Sequence, residues 1–182
     1  GEIKPHRLRV YAAMVRAIDR SVGRINQTLR DEGLEENTIV VFSSDNGGPG
    51  YIGLPEINQP YRGWKLTNFE GGLRVPLFIK WPSKIQAGKR IKKPVSHLDV
   101  MPTLAAAAGT ELPNDRTIDG LSLLPLLTRN ENTAWQRKTL FWQNGHYRTV
   151  RHGNWKLQIT SDPKHRWLFK LDDDPTEQTN LV

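Results

Sequence analysis

The run Thr38-Ile39-Val40-Val41-Phe42-Ser43-Ser44 constrains this chain more than any other segment. It is continuous in apolar and β-branched residues, the pattern of a strand buried on both faces, as in parallel sheets. A helix-period pattern precedes it. Tyr11, Met14, Val15, Ile18, Val22, Ile25 and Leu29 recur at three- and four-residue steps, which predicts an amphipathic helix over about 7–32 with Gly33 as its C-terminal cap. A long helix leading into a buried strand is α/β grammar. Residues 75–81 predict a second apolar strand, and Pro76 places it at an edge or restricts the proline to the strand's first residues. A further helix is expected over 99–109, with Asp99 as cap, Pro102 in the first turn and Gly109 at the end. Between the two strands, residues 45–74 read mostly as loop. A loop of that length is functional or disordered more often than it is a plain connection.

The pattern changes after Arg129. Short aromatic stretches at 139–143, 147–151 and 155–160 are separated by Asn144-Gly145 and Gly153-Asn154, both turn signals, and a fourth run covers 167–171. This predicts a small antiparallel sheet and a boundary near residue 130, dividing the chain into 1–129 and 130–182. Trp135, Trp142, Trp155 and Trp167 could stack on carbohydrate. Core packing of the small sheet is the simpler reading, because they fall in strand-like runs.

Composition excludes several classes. The 182 residues contain no cysteine, which rules out a disulfide scaffold and a thiolate metal site. No apolar run approaches the roughly 18 residues of a membrane span, and Gly1-Glu2-Ile3-Lys4-Pro5-His6 has no signal-peptide core. If the natural protein is exported, its signal is expected upstream. The 26 Lys and Arg outnumber the 19 acids, for a net charge of +7, which favours anionic partners. The only tight basic cluster is Lys89-Arg90-Ile91-Lys92-Lys93, read as a solvated loop, and no nucleic-acid-binding motif accompanies it. Neither nucleic acid nor a membrane is an expected partner.

Two segments suggest chemistry. Ser44-Asp45-Asn46-Gly47-Gly48 follows the first strand directly, where ligands sit in open α/β sheets. The Asp45 carboxylate and the Asn46 carbonyl are hard oxygen ligands of the kind calcium or magnesium takes. The same residues also favour a simple Asx turn, and two side chains fall short of the 6–8 oxygens calcium needs. The second segment is Arg62-Gly63-Trp64-Lys65-Leu66-Thr67-Asn68-Phe69-Glu70-Gly71-Gly72-Leu73-Arg74. Lys65 is a compact cation able to hold an anionic group, or an ordinary surface lysine. Glu70-Gly71-Gly72 reads as structural, its glycines permitting a tight path. Arg74 pairs with Glu70 or contacts an anion, with pairing preferred.

Taken in order, these segments resemble the sulfatases. The resemblance runs through Asp45-Asn46-Gly47-Gly48, Arg62-Gly63-Trp64-Lys65, Phe69-Glu70-Gly71-Gly72-Leu73-Arg74-Val75-Pro76 and His97-Leu98-Asp99-Val100-Met101-Pro102-Thr103-Leu104. It ends in Gly153-Asn154-Trp155-Lys156-Leu157 and Leu168-Phe169-Lys170-Leu171-Asp172-Asp173-Asp174-Pro175-Thr176-Glu177. It implies an α/β fold of the alkaline-phosphatase type, partial and without its early strands, with a small C-terminal antiparallel subdomain. It implies sulfate-ester hydrolysis at a calcium site, with Asp45 and Asn46 as metal ligands and Lys65 on the sulfate. The substrate is expected to be a sulfate ester, such as a sulfated glycan. The resemblance further implies a periplasmic, secreted or lysosomal location. No catalytic role carries over to His97, nor to His6, His146, His152 or His165.

The departures matter as much. The family's formylglycine forms from Cys or Ser in a Cys/Ser-x-Pro-x-Arg segment, and neither that segment nor the family's early Asp-Asp metal pair occurs here. The chain therefore resembles the C-terminal portion of a sulfatase. The remainder of that polypeptide is its expected partner, and the portion alone is expected to be inactive. A phosphodiesterase or phosphonate hydrolase of the same superfamily is one alternative. A non-catalytic module that binds anionic glycans is another.

Overall fold

A computed structural model describes residues 3–129 and 134–182, with side chains from residue 6 onward. The boundary expected near residue 130 falls outside the described residues. By contact the chain forms two compact units. One comprises Gly1–Glu35, Ile39–Ile79 and Lys138–Val182; the other comprises Glu36–Thr38 and Lys80–Arg137.

The first unit opens with helix α1, Ile3–Asp31. It closes as its sequence predicts: Gly33 takes φ +66° and Leu34 N–H returns to Leu29 O at 2.8 Å. Its apolar stripe is largely in solvent. Met14, Val15, Ile18 and Ile25 are exposed, while Tyr11, Val22 and Leu29 are half-buried. Strand β1, Val40–Ser43, pairs with β2, Leu77–Lys80. The expectation that β1 is buried on both faces does not hold. Its residues are half-buried or exposed, because the described sheet has two strands and no layer over Phe42, which meets Phe78 at 6.2 Å.

The small sheet has the expected form. Strands β3 (Thr139–Asn144), β4 (Tyr147–His152), β5 (Trp155–Ser161) and β6 (Lys164–Lys170) form an antiparallel meander in chain order. The turn glycines Gly145 and Gly153 take φ +56° and +57°. The inward face of the sheet meets the segment just before α2, Glu70–Leu73. Phe69 lies edge-on to Trp167 at 5.5 Å and to Phe169 at 6.2 Å, and with Leu171 they make the core. Strand β5 inverts the usual alternation. Lys156 and Gln158 are fully buried, whereas Trp155 and Leu157 are exposed. Core packing therefore describes Trp167 and not Trp155.

In the second unit, α3 (Val100–Ala108) ends at Gly109 with φ +67°. Asp99 does not cap it through its own side chain, contrary to expectation. It closes a capping box one turn earlier, accepting from Ser96 N–H at 2.8 Å. Its other oxygen accepts from Leu121 N–H at 2.8 Å and from Arg137. Residues 121–127 supply α4, Leu124–Thr128, whose Leu126 and Leu127 are buried. Lys89 of the basic cluster donates to the carbonyls of Leu127 and Arg129, which satisfies the end of that helix. Trp135 donates its indole N–H to Pro94 O at 2.9 Å.

Candidate functional site

The loop between β1 and β2 is held together by backbone bonds. Asp45 Oδ1 accepts the N–H of the next residue, Asn46, at 2.9 Å, and Ser44 Oγ donates to Asn46 O at 2.8 Å, so side chains of the segment itself brace the bend after β1. This is not the simple Asx turn the residues also favoured, since Gly47 N–H goes to Gly72 O instead. Asn46 donates its amide to Gly47 O at 3.0 Å, which leaves the side-chain carbonyl as an acceptor. Asp45 is exposed and Asn46 half-buried.

The next two residues join this turn to the second segment. Gly47 N–H donates to Gly72 O at 2.9 Å, and Lys65 N–H donates to Gly48 O at 3.1 Å. Only glycines permit so close an approach. A Cβ on Gly47 would stand 1.7 Å from Gly71 O, and one on Gly72 would stand 2.1 Å from Thr67 O. Asn58 completes the fastening. Its Oδ1 accepts Gly48 N–H at 2.7 Å, and its Nδ2 donates to Gly48 O at 2.9 Å and Gly63 O at 3.1 Å. The structure thus brings Asp45, Asn46 and Lys65 into one backbone assembly. Lys65 is half-buried, and the neighbouring Leu66 takes φ +80°.

Behind this assembly lies a buried ion cluster. Lys156 Nζ is 2.9 Å from Glu70 Oε1 and 2.9 Å from Glu177 Oε1, and the three side chains are at most 6% exposed. The contact to Glu177 is ionic without hydrogen-bond alignment, whereas Lys156 donates directly to Glu70. Glu177 Oε2 accepts Glu70 N–H. Burial pushes the Glu177 carboxyl above its ordinary pKa; Lys156 and the Glu70 N–H oppose this, and the Glu70 charge adds to it. Arg74 also reaches Glu70, at 3.9 Å, and lies over the Tyr61 ring at 4.7 Å. The expected Arg74–Glu70 pair is present, but Lys156 is the close partner.

Sequence reasoning missed Asn58 and this cluster. Its signal was the polar alternation of Lys156, Gln158 and Thr160 within β5, which marks an inward polar face. His97 is exposed on its 3₁₀ turn, outside the site unit. Among the described residues, no group of three or more His, Asp, Glu or Cys side chains gathers to hold a metal. Asp45 and Asn46 are oxygen donors suited to calcium, as part of a ligand shell and not the whole of one.

A Gly-lined turn after a strand thus carries two oxygen donors, Asp45 and Asn46, beside a lysine whose backbone is fastened to it. The sulfatase family profile matches residues 2–110, and that of the N-sulphoglucosamine sulphohydrolase C-terminal region matches 63–182. The chain belongs to the sulfatase family. It is 43% identical to steryl-sulfatase of Rattus norvegicus over 171 residues, which is 91% of this chain and 29% of that protein. The crystal structure of Ps i-CgsB superposes with a TM-score of 0.81 at 33% identity, over 94% of this chain and 38% of that one. A protein solved with its substrate D-glucosamine-2-N,6-O-disulfate superposes with a TM-score of 0.77 at 29% identity, over 94% of this chain and 35% of that one. The fold is of the alkaline-phosphatase type with a small antiparallel sheet. The chain spans about a third of the relatives it matches. Among the described residues, no helix is long and apolar enough to cross a membrane.

Proposed function

We propose that this chain is the C-terminal portion of a sulfate-ester hydrolase and supplies part of its active site. Residues 1–129 belong to the catalytic domain and 130–182 form the small β subdomain. Asp45 and Asn46 donate oxygens to a calcium ion, and Lys65 holds a sulfate oxygen as a point charge. The observation that carries this reading is the fastening of Lys65 N–H to Gly48 O, which ties the anion-binding residue to the oxygen-donor turn.

When bound, calcium would neutralise sulfate charge as a Lewis acid. The chain's own residues bind and orient. Lys65 presents an ammonium whose backbone is fixed before substrate arrives, so little reorganisation is needed as charge develops on the leaving oxygen. The chain has no Cys and no Ser in a Cys/Ser-x-Pro-x-Arg segment, so formylglycine is expected from upstream residues. By itself the chain holds an anion without turning it over. The sulfated sugar bound by one structural relative supports a sulfated glycan as substrate. A periplasmic, secreted or lysosomal setting follows from the family resemblance alone.

The test uses the whole polypeptide that carries this chain, assayed on a sulfated monosaccharide and an aryl sulfate. Lys65→Ala is expected to lower kcat/KM by about 10²–10³-fold, and calcium chelation to abolish turnover. The pure 182-residue chain is expected to show none. Turnover by that chain, lost in Lys65→Ala, would overturn its inactivity. Salt-sensitive binding to a sulfated polysaccharide that ignores Asp45→Ala, without hydrolysis by the whole protein, would replace the enzyme with a binding module.

A further inference from the structure

We propose that Lys156, Glu70 and Glu177 are positioning residues that clamp the Lys65 loop, and through it the Asp45–Asn46 turn, onto the small sheet. The proposal rests on the reading of Lys65, Asp45 and Asn46 given above.

Glu177 acts at two points. Its carboxylate accepts Glu70 N–H, while its main-chain carbonyl accepts from Arg62 Nη1 at 3.1 Å. Residues 62 and 70 are the two ends of the loop that carries Lys65. One residue of the C-terminal segment thus grips both ends. The Arg62 guanidinium also lies over the Phe69 ring at 4.2 Å, which draws the two ends together. Glu177 is held in the left-handed region, φ +59°, where a non-glycine residue is strained. The Asp174 turn keeps it there: Glu177 N–H reaches Asp174 O at 3.3 Å, and Thr179 N–H reaches Asp174 Oδ2 at 2.8 Å.

From Glu70 the connection runs on through α2. A four-residue helix has no stability of its own, so its anchors set its position. Lys156 holds its first side chain and Glu177 its first N–H. Gly71 N–H then reaches Arg62 O at 2.7 Å, and Gly72 O receives Gly47 N–H at 2.9 Å. Gly48 O in turn receives Lys65 N–H. From Gly71 onward every link is a backbone hydrogen bond of at most 3.1 Å. A buried ion cluster is a weak device for stability alone, since apolar residues of the same volume would serve as well. Its distinct property is directional: three charges fix one geometry.

The test is native-state amide exchange on the 182-residue chain, with Glu177→Gln and Lys156→Met as variants. Both keep side-chain volume. Exchange at Lys65 and Gly47 N–H should accelerate about tenfold or more, while Trp142 and Val150 N–H in β3 and β4 change by less than about twofold. Lys156→Arg should restore much of the protection. If Lys156→Met fails to fold, Glu177→Gln decides. Wild-type protection at Lys65 and Gly47 in folded Glu177→Gln would overturn the proposal. In the whole polypeptide, Glu177→Gln should lower kcat/KM and add little to Lys65→Ala in the double variant, the non-additivity of groups acting as a unit. Full additivity would overturn it. If Lys65→Ala leaves activity intact, the functional reading of Lys65 fails, and the exchange result still judges the clamp.

Discussion

A Cβ built on Gly23 of α1 meets nothing within 4 Å, whereas one on Gly47 would stand 1.7 Å from the carbonyl oxygen of Gly71. The two glycines belong to the same compact unit. They report two kinds of order. Helix α1 is held by its own hydrogen bonds, and its apolar stripe stands largely in solvent. The turn after β1 has almost no regular structure, and it is held by contacts with distant residues at Asn58, Lys65 and Gly72. Regular secondary structure is therefore no guide to which part of this unit is specified by tertiary contacts.

Substitutions sharpen that contrast. Lys156→Met should have the largest effect, destabilising the chain by about 3–5 kcal/mol in urea unfolding, because two carboxylates lose their buried counter-charge. A loss below about 1 kcal/mol would show that water reaches the cluster. Gly47→Ala comes next, at about 1–3 kcal/mol, since the facing atom is backbone and cannot rotate away. Gly23→Ala should go the other way and stabilise α1 by about 0.5–1 kcal/mol, read as a rise in helical circular dichroism and in the urea midpoint. Equal signs for the two alanines would break the comparison. Ile18→Ser, on the exposed stripe, should change stability by less than about 0.5 kcal/mol. A larger loss would mean that the stripe is covered in solution.

The cluster also predicts a pH dependence. Burial raises the Glu177 pKa, so the folded state binds its proton more tightly than the unfolded chain does. Stability from this group is full below the ordinary carboxylate pKa and is lost as pH rises through the raised folded value. Lys156 on β5 and Glu70 on α2 are the charges that face it. The stability difference between wild type and Glu177→Gln should therefore shift in favour of wild type as pH is lowered from neutrality towards 4.5. A shift the other way would mean that the Lys156 attraction outweighs burial.

Much of the architecture was legible in residue pattern. The 3.6-residue stripe marked α1, the β-branched run marked β1, and glycine-bearing turns marked the meander. Such signals are local: period, cap and turn chemistry act within a few residues. The expected double burial of β1 failed because burial depends on what lies over a strand, and the described sheet offers one partner. Asp99 was legible as a cap but not as a three-way acceptor, since Leu121 and Arg137 are remote in sequence. Trp155 misled because an aromatic in a strand is assigned to the core by composition, while its pairing phase places Lys156 inward instead.

The site followed the same division. Asp45, Asn46 and Lys65 could be picked out from side-chain chemistry and family resemblance. Their union could not, because it rests on backbone bonds across 17 residues, from Gly48 to Lys65, and on glycines whose value is the absence of a side chain. Sequence alone determined which elements form and which chemical groups are offered, since both follow from local stereochemistry and side-chain type. Only the tertiary structure decided which groups meet and which charges are buried together. Those outcomes depend on the strand phase of β5 and on Glu177, whose carboxylate and main-chain carbonyl reach a loop more than 100 residues away.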